Sequence, residues 1–407
     1  MRVDLRFLNP FRPGAGHVPP YLAGRKGQSD EFRRLLGQDL ILGNMVLSGL
    51  RGVGKTVLLD TFRPEALQAG WGWIGDNISE SSCTSEERLA VRLMTDLAVL
   101  TSSIVIARNE LVGIGFEPTK NRVEQTFDYD MMITLFQRTP GLVSDKLKKV
   151  LECAWQCMQH TQRKGLVFAY DEAQNLSDHT GRREYPLSLL LDVFQSLQKK
   201  GIPFLLVLAG LPTLFPKLVE ARTFSERMFR VLFLDRLDED DSRDAILEPI
   251  RKIALSTKWV KLWEALAPSI IPACGGYPYF IQFICRELFD ITLRPMEIDA
   301  SEVTTPICDI LRKLDTDFYA GRWARSTDRQ RELLTVIAHL KTSEQEFTVQ
   351  EIVEKSKEML KKPFRASHVS QMLSALCDAG LLYKNRHGKY SFAVPLLGRF
   401  ILRQQQS

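Results

Sequence analysis

The chain has no long stretch of uncharged apolar residues. A membrane-spanning helix needs about 18 or more such residues in a row, and nowhere in the 407 residues do they occur. The N-terminal stretch Met1 to Pro10 is interrupted by arginines and an aspartate, so it lacks the apolar core of a signal peptide. We therefore expect no membrane partner and a cytoplasmic location.

Cysteine and net charge are also low. The seven cysteines are scattered, and the one close pair, Cys153 and Cys157, has no second pair or histidine nearby. This pattern predicts reduced packing residues and gives no support for a zinc site. A formal net charge of +5 is too small to predict nucleic-acid binding by itself. The length suits two or three domains.

A glycine-rich phosphate loop is the strongest motif present. Residues Gly49 to Thr56 read G-L-R-G-V-G-K-T and follow an apolar run, as in G-x-x-x-x-G-K-[ST]. Lys55 would reach the β- and γ-phosphates of ATP, and the Thr56 hydroxyl would ligate Mg²⁺. The predicted nucleotide-binding residues of the loop are Gly49, Gly52, Val53, Gly54, Lys55, Thr56 and Val57.

A second motif is an apolar run that ends in two carboxylates, Asp171 and Glu172. Such a run is typical of a strand buried on both faces of a parallel sheet. Asp171 would hold the Mg²⁺ shell, and Glu172 would orient and deprotonate a water for attack on the γ-phosphate. The alternative is an acidic helix cap. The upstream phosphate loop favours the catalytic interpretation.

Alternating strand and helix patterns predict an α/β fold with a doubly wound parallel sheet, followed by a helical lid and a C-terminal winged-helix domain. Residues 110–140 are polar, with Gly113, Gly115 and Pro118, and are predicted to be irregular, as an insertion or flexible loop of unknown role. The predicted parts are an extended, unpacked N-terminal arm over 1–20, the ATPase core over 21–215, the lid over 216–320 and the winged helix over 321–407. The predicted lid helices are Asp240–Ala254, Val260–Ala267, Pro278–Leu293 and Ala300–Phe318.

The winged-helix prediction comes from three helices and a strand pair. Helices are predicted after Thr327, after Thr348 and from Ser367 to a left-handed Gly380, followed by two strands around a turn. From Lys361 to Arg403 there are eight basic residues against one acidic residue, Asp378. A recognition helix and a basic wing of this kind can bind duplex DNA, although winged helices also bind proteins. The candidate contacts are Arg365, Ser367, His368, Ser370 and Gln371 on the helix, and Lys384, Asn385, Arg386, His387 and Lys389 on the wing.

With these motifs the chain resembles AAA+ ATPases of the bacterial and archaeal branch near signal-transduction ATPases and origin-recognition initiators. Leu22-Ala-Gly-Arg25 is similar to the motif that lies by the adenine in that branch, so the resemblance implies a nucleotide contact for Arg25. Gly275-Gly-Tyr-Pro278 resembles the lid motif whose proline, here Pro278, packs near the base. Ser225-Glu-Arg227 resembles the segment that holds a trans-acting arginine.

Three further features concern the lid and the predicted catalytic site. The initiators carry an arginine on the lid helix, whereas Arg286 here lies two turns too far along. Arg227 is the favoured candidate to complete a neighbour's site, with Arg222 and Arg230 beside it, unless these arginines only pair with surface glutamates. Asn77 is a candidate to hold Glu172 inactive, unless it is simply a turn residue.

The sequence thus predicts an ATPase that couples its nucleotide state to assembly, as a homo-oligomer when ATP is bound, and to a DNA or protein client. Glu172 favours turnover, because a protein that only binds nucleotide needs no water-activating carboxylate. The alternative is a slow or non-hydrolysing, nucleotide-gated scaffold whose winged helix binds protein.

Overall fold

The computed structural model describes residues 9–14, 16–112, 120–253, 257–292, 306–386 and 388–405. The chain divides into two compact units. The first consists of Met1–Lys26, Gly49–Val57 and Leu234–Ser407, and the second of Gly27–Ser48 and Leu58–Phe233. The domain boundaries predicted at 20, 215 and 320 stay predictions.

A five-stranded sheet forms the centre of the second unit. Its strands are β1 (Asn44–Gly49), β2 (Trp71–Ile74), β5 (Gly165–Tyr170), β6 (Phe204–Gly210) and β7 (Phe229–Leu234). They stand in the order β2-β5-β6-β1-β7, and the pairs β2–β5, β5–β6 and β6–β1 are parallel. Every residue of β1, β5 and β6 is buried, as expected for central strands covered on both faces. The predicted fold class is confirmed.

Helices connect and cover these strands. The helices before β7 are α1 (Lys26–Leu36), α2 (Lys55–Gln68), α3 (Glu86–Thr101), α4 (Tyr129–Arg138), α5 (Val143–Met158), α6 (Pro186–Lys199), α7 (Leu214–Ala221) and α8 (Ser225–Met228). Phe168 of β5 packs against Phe194 of α6 and Phe204 of β6, with ring centroids 4.9 and 5.1 Å away. These contacts belong to the apolar core between α6 and the sheet.

The prediction of an irregular loop over residues 110–140 is wrong. Strands β3 (Val105–Val112) and β4 (Lys120–Thr126) form an antiparallel pair, and α4 follows them. The glycines and proline on which the prediction rested, at positions 113, 115 and 118, lie outside the described residues. Strands without regular apolar alternation carry little sequence signal. Asp128 caps α4 by accepting a hydrogen bond from the Met131 amide.

The first unit is mainly helical after β7. Its helices there are α9 (Glu239–Ile253), α10 (Thr257–Cys274), α11 (Pro278–Thr292), α12 (Pro306–Leu314), α13 (Gly321–Trp323), α14 (Asp328–Ala338), α15 (Val349–Met359), α16 (Ala366–Asp378) and α17 (Leu397–Gln404). The predicted helix from Ala300 begins outside the described residues. Within them, α12 is followed by a wider π-type turn over Asp315–Ala320.

The N-terminal segment packs against this helical unit, so the expectation of an unpacked arm is wrong. Phe11 is 0% exposed and stacks on Trp263 of α10 at 5.4 Å between ring centroids. Asn9 donates from Nδ2 to Oδ1 of Asp290 at 2.8 Å. Arg286 donates to the Phe11 carbonyl oxygen at 3.2 Å. The prolines and glycines around Phe11 indicated an extended arm, so no sequence pattern showed that this one aromatic residue belongs to the core.

The C-terminal elements follow the predicted order of three helices and a hairpin. The hairpin strands are β8 (Leu382–Arg386) and β9 (Lys389–Phe392). Thr327 and Thr348 cap α14 and α15 through capping boxes, and Gly380 is left-handed at φ +69°, as predicted. Helix α17 was not predicted. The function of this segment as a winged helix stays a prediction.

Candidate functional site

The phosphate loop connects the end of β1 to the start of α2. Lys55 is the first residue of α2 and is 9% exposed. Its Nζ donates to the carbonyl oxygens of Gly49 and Leu50, each at 2.8 Å. Gly52 and Gly54 have φ of +78° and +92°, a region that suits glycine and explains these two positions. The loop therefore wraps around its own lysine, at the N-terminus of a helix where anions are favoured.

Two other segments of the first unit hold the loop's carbonyl groups. Arg25, 6% exposed, donates from Nη2 to Val53 O at 3.0 Å and to Asp235 O at 2.8 Å. The Tyr279 amide donates to Gly52 O at 3.2 Å. Burial lowers the pKa of Arg25, and the charges of Asp241 and Asp235 oppose this shift. Arg25 thus touches the loop itself.

The glycine-proline motif lies where α11 begins. Pro278 is the first residue of α11, a position where its fixed φ and missing amide hydrogen are well tolerated. Just before it, Gly276 accepts a hydrogen bond from the Leu237 amide at 2.8 Å. The next residue, Tyr279, is the one that contacts Gly52. The motif is thereby connected to the phosphate loop through backbone atoms.

The two carboxylates follow β5 in the second unit. Because β5 and β1 both run parallel to β6, the carboxyl ends of the three strands lie at the same edge of the sheet. Asp171 is 5% exposed, and its Oδ1 accepts the Glu172 amide at 2.7 Å. Glu172 is exposed and left-handed at φ +52°. Such a conformation is uncommon for a non-glycine residue and is found preferentially at functional sites.

A third carboxylate near Asp171 was missed by sequence reasoning. The pKa of Asp60 on α2 is raised by partial burial and then by the charges of Asp171 and Asp76. Asp60 lies one helical turn after Thr56, and only proximity in space identifies it.

Within the described part of the chain, no group of three or more histidine, cysteine, aspartate or glutamate residues could hold a metal ion. Mg²⁺ at a phosphate site takes only one or two protein ligands and completes its shell with phosphate oxygens and waters. The buried Asp171 carboxylate and the exposed Thr56 hydroxyl are hard oxygen donors that fit this chemistry.

The partner of Glu172 differs from the one expected. Asn77 pairs with Asp171 in an isolated parallel bridge. The Glu172 carboxylate accepts its hydrogen bond from Nε2 of Gln174, two residues further along. Gln174 was not singled out from the sequence, because glutamine carries no distinctive motif signal.

The three candidate arginines have different environments. Arg222 forms a two-pronged ion pair with Asp192, at 2.9 Å from Nε and 2.7 Å from Nη2, and this bond raises the Arg222 pKa. Arg227 and Arg230 are exposed. Arg227 lies on α8 and lines an open groove of about 400 Å³ with Leu40, Leu42 and Phe224 among its other walls. Arg222 is bound to Asp192 of the same unit, whereas the Arg227 residue is exposed.

The eight basic residues near the C-terminus also have different environments. Arg399 pairs with Glu344, and Arg403 pairs with Asp315 at 2.9 Å. Two of the eight basic residues therefore have acidic partners in the same unit. Four others are exposed: Lys361, Lys362, Arg365 and Lys384. Lys389 is partly buried, the Arg386 side chain is not among those described, and His387 lies outside the described residues.

One protein of known structure shares the architecture along its whole length. The Aeropyrum pernix ORC2 protein, in its ADPNP-ADP complexes, matches with a TM-score of 0.55 and 12% identity, covering 100% of this chain and 99% of that chain. Its ADP form matches with the same score and identity, over 97% and 98%. This chain has the same fold. The match bears out the predicted resemblance to origin-recognition proteins at the level of the fold.

Other comparisons are less informative. The Aeropyrum pernix ORC1 protein in complex with DNA has a TM-score of only 0.43 at 17% identity, over 98% of this chain and 96% of that chain. Residues 316–401 match a family described as a domain of unknown function, DUF8462. No curated protein matches the chain significantly. None of the described helices is long and apolar enough to cross a membrane.

Proposed function

We propose that the protein is an ATP-hydrolysing molecular switch of the AAA+ type. One observation carries the proposal: Lys55 is buried at a helix start and held by the Gly49 and Leu50 carbonyls of a glycine loop. Burying an ammonium group is costly unless its hydrogen bonds are satisfied. A loop that places such a charge beside helix N-terminal amides is suited to binding a polyphosphate. The ORC2 protein with the same fold was solved with ADPNP and ADP, which supports a nucleotide ligand here.

Each motif residue has a separate role in this proposal. Bound Mg·ATP supplies the phosphoryl group. Lys55 places positive charge on the β- and γ-phosphates, while the loop amides of Gly52 to Val57 orient them. Thr56 and Asp171 are the proposed Mg²⁺ ligands. Glu172 accepts the proton of the attacking water. Arg25 and Pro278 position the nucleotide, Arg25 through its bond to Val53 O.

Assembly and client binding complete the proposal. Arg227 is exposed on α8 and acts on the ATP of a neighbouring copy, so the active form is a homo-oligomer. The exposed basic residues around α16 contact duplex DNA, and a protein client is the other candidate for that surface. The protein acts in the cytoplasm.

The test uses two variants of the full chain. Lys55→Ala removes the fixed charge on the phosphates, so nucleotide affinity should fall at least 100-fold. Glu172→Gln keeps the shape of the side chain and removes the base, so Mg·ATP should still bind while hydrolysis slows on the order of 10²-fold or more. Nucleotide binding is followed by titration calorimetry and hydrolysis by phosphate release.

The outcomes separate the alternatives. Undiminished affinity in Lys55→Ala would contradict the phosphate-loop assignment. Normal hydrolysis in Glu172→Gln would make Glu172 only a helix cap. A wild-type protein that binds ATP and assembles, yet hydrolyses nothing with or without DNA, would be the nucleotide-gated scaffold instead.

A further inference from the structure

Gln174 joins Glu172 to the end of β6 within the second unit. Its Nε2 donates a hydrogen bond to Oε2 of Glu172, and its Oε1 accepts the backbone amide of Leu211 at 3.1 Å. The orientation of the amide follows from the partners, because a backbone N–H needs an acceptor and a carboxylate needs a donor. Since the amide group is planar, the bond to Leu211 also fixes the direction in which Nε2 points.

The backbone of Gln174 is held as well. Lys217 of α7 donates from Nζ to Gln174 O at 2.9 Å and to Ser177 Oγ at 3.1 Å. The adjacent Ala173 is 0% exposed. Both ends of Gln174 are therefore fixed, by α7 at its carbonyl and by the end of β6 at its side chain. Glu172 is exposed, and without such a partner its side chain would populate several rotamers.

We propose that Gln174 is the positioning residue for the general base. It restrains Glu172 to one rotamer, occupies Oε2 and leaves Oε1 as the oxygen that accepts the proton from water. The same amide connects the carboxylate to the carboxyl end of β6, so a shift at Leu211 would move the base. This inference rests on the proposed hydrolysis and assigns to Gln174 the contact that the sequence suggested for Asn77.

The expected effect is on turnover and not on nucleotide binding. Losing the restraint on a long, exposed side chain costs about a factor of ten in the population of the competent rotamer. Gln174→Met has nearly the same length and shape but neither donates nor accepts. Gln174→Glu keeps an acceptor for Leu211 and places a carboxylate against Glu172. Both variants should lower kcat about tenfold with KM for ATP unchanged.

The experiment measures single-turnover hydrolysis and KM for five full-length proteins: wild type, Gln174→Met, Gln174→Glu, Glu172→Gln and the double variant Gln174→Met with Glu172→Gln. A residue that acts through Glu172 should have no further effect once the base is gone. The double variant should therefore be as slow as Glu172→Gln and no slower. Thermal unfolding confirms that each variant folds, and Gln174→Glu carries the test if Gln174→Met does not fold.

Two results overturn the inference. The first is a wild-type kcat in either Gln174 variant, and if only Gln174→Glu is normal, the bond to Leu211 alone is important. The second is a further tenfold loss in the double variant, which would show a role independent of Glu172. Normal hydrolysis by Glu172→Gln refutes the proposed function itself, and is recognised without any Gln174 variant.

Discussion

Arg25 donates a hydrogen bond to the carbonyl oxygen of Val53, which lies 28 positions further along the chain, at 3.0 Å. The same Nη2 atom also reaches Asp235 O at 2.8 Å. A guanidinium offers five donors in a rigid fork, so one buried arginine can fix two backbone segments at once. The shape of the phosphate loop therefore depends on a side chain outside the motif.

Replacing Arg25 with Met should weaken nucleotide binding and destabilise the first unit. The buried Val53 carbonyl and the less buried Asp235 carbonyl would lose their donor, which costs about 2 kcal/mol of unfolding free energy. A loop free to relax should lower ATP affinity roughly tenfold, or about 1.4 kcal/mol. Titration calorimetry and urea unfolding measure the two effects.

The matched control is Arg33→Met. Arg33 forms surface ion pairs with Asp30 and Glu65, and its side chain is 56% exposed, so both quantities should stay near wild type. A nucleotide affinity in Arg25→Met equal to that of Arg33→Met would show that the Val53 contact does not shape the loop.

Arg222→Ala and Arg227→Ala should separate stability from hydrolysis. Arg222→Ala breaks the ion pair with Asp192 and should lower the unfolding midpoint, with nucleotide binding unchanged. Arg227→Ala should fold and bind ATP normally yet hydrolyse it slowly. Mixing Arg227→Ala with Lys55→Ala should restore activity, because an intact loop then meets an intact arginine in mixed interfaces.

ATPase rate against protein concentration is the measurement for this pair. A rate per chain that does not depend on concentration, together with no rescue at any mixing ratio, would argue against an arginine acting between copies. Slow hydrolysis in Arg222→Ala at normal stability would instead move the assignment to Arg222.

Duplex DNA binding by the full chain should depend on salt and on the exposed basic residues around α16. Each phosphate neutralised by lysine or arginine adds roughly 0.9 to the slope of log affinity against log salt. Charge reversal at Lys361, Lys362 and Arg365 should lower the magnitude of this slope by the contribution of about three phosphate contacts. Reversal at Lys384, Arg386 and Lys389 tests the wing in the same way.

Arg399→Gln is the control for DNA binding. Arg399 is paired with Glu344, so its loss should cost some stability and leave the salt slope unchanged. If neither triple reversal alters the slope, or if no DNA binds at low salt, the segment is better explained as a protein-docking surface.

Alkaline pH should destabilise the first unit through Tyr277. Burial, assisted by the charge of Asp235, raises the Tyr277 pKa from 10.0 to about 12. Between these values the folded state holds a proton that the unfolded state releases, so stability falls as the pH rises above the unfolded value. The slope contributed by this residue is at most about 1.4 kcal/mol per pH unit. Tyr277→Phe should flatten the curve by that amount, as measured by urea unfolding across the alkaline range; equal slopes would mean that the phenol is accessible.

Several parts of this structure are predicted by short stretches of consecutive residues. The phosphate loop, the carboxylates after β5 and the left-handed Gly380 are encoded in consecutive residues, and the sequence predicts them with correct boundaries to within a few positions. The bond between Gln174 and Leu211, the position of Asp60 near Asp171 and the ion pair of Arg399 depend on residues distant in sequence, which no periodicity reveals.

The N-terminal segment is a case in which local sequence patterns predict the wrong structure. Proline and glycine around Phe11 are typical of an extended arm, but burial of one aromatic ring against α10 depends on tertiary packing. The sequence pattern likewise does not predict β3 and β4, because strand propensity depends strongly on the surrounding structure.

Because Phe11 stacks on Trp263, the intrinsic fluorescence of this tryptophan reports whether the N-terminal segment is attached. Trp263 is completely buried and is one of six tryptophans in the chain. Detachment of the N-terminal segment would admit water to the indole and shift its emission to longer wavelength. A Trp263→Phe protein supplies the difference spectrum, so the attachment of this segment can be followed by fluorescence while nucleotide is titrated, without any added label.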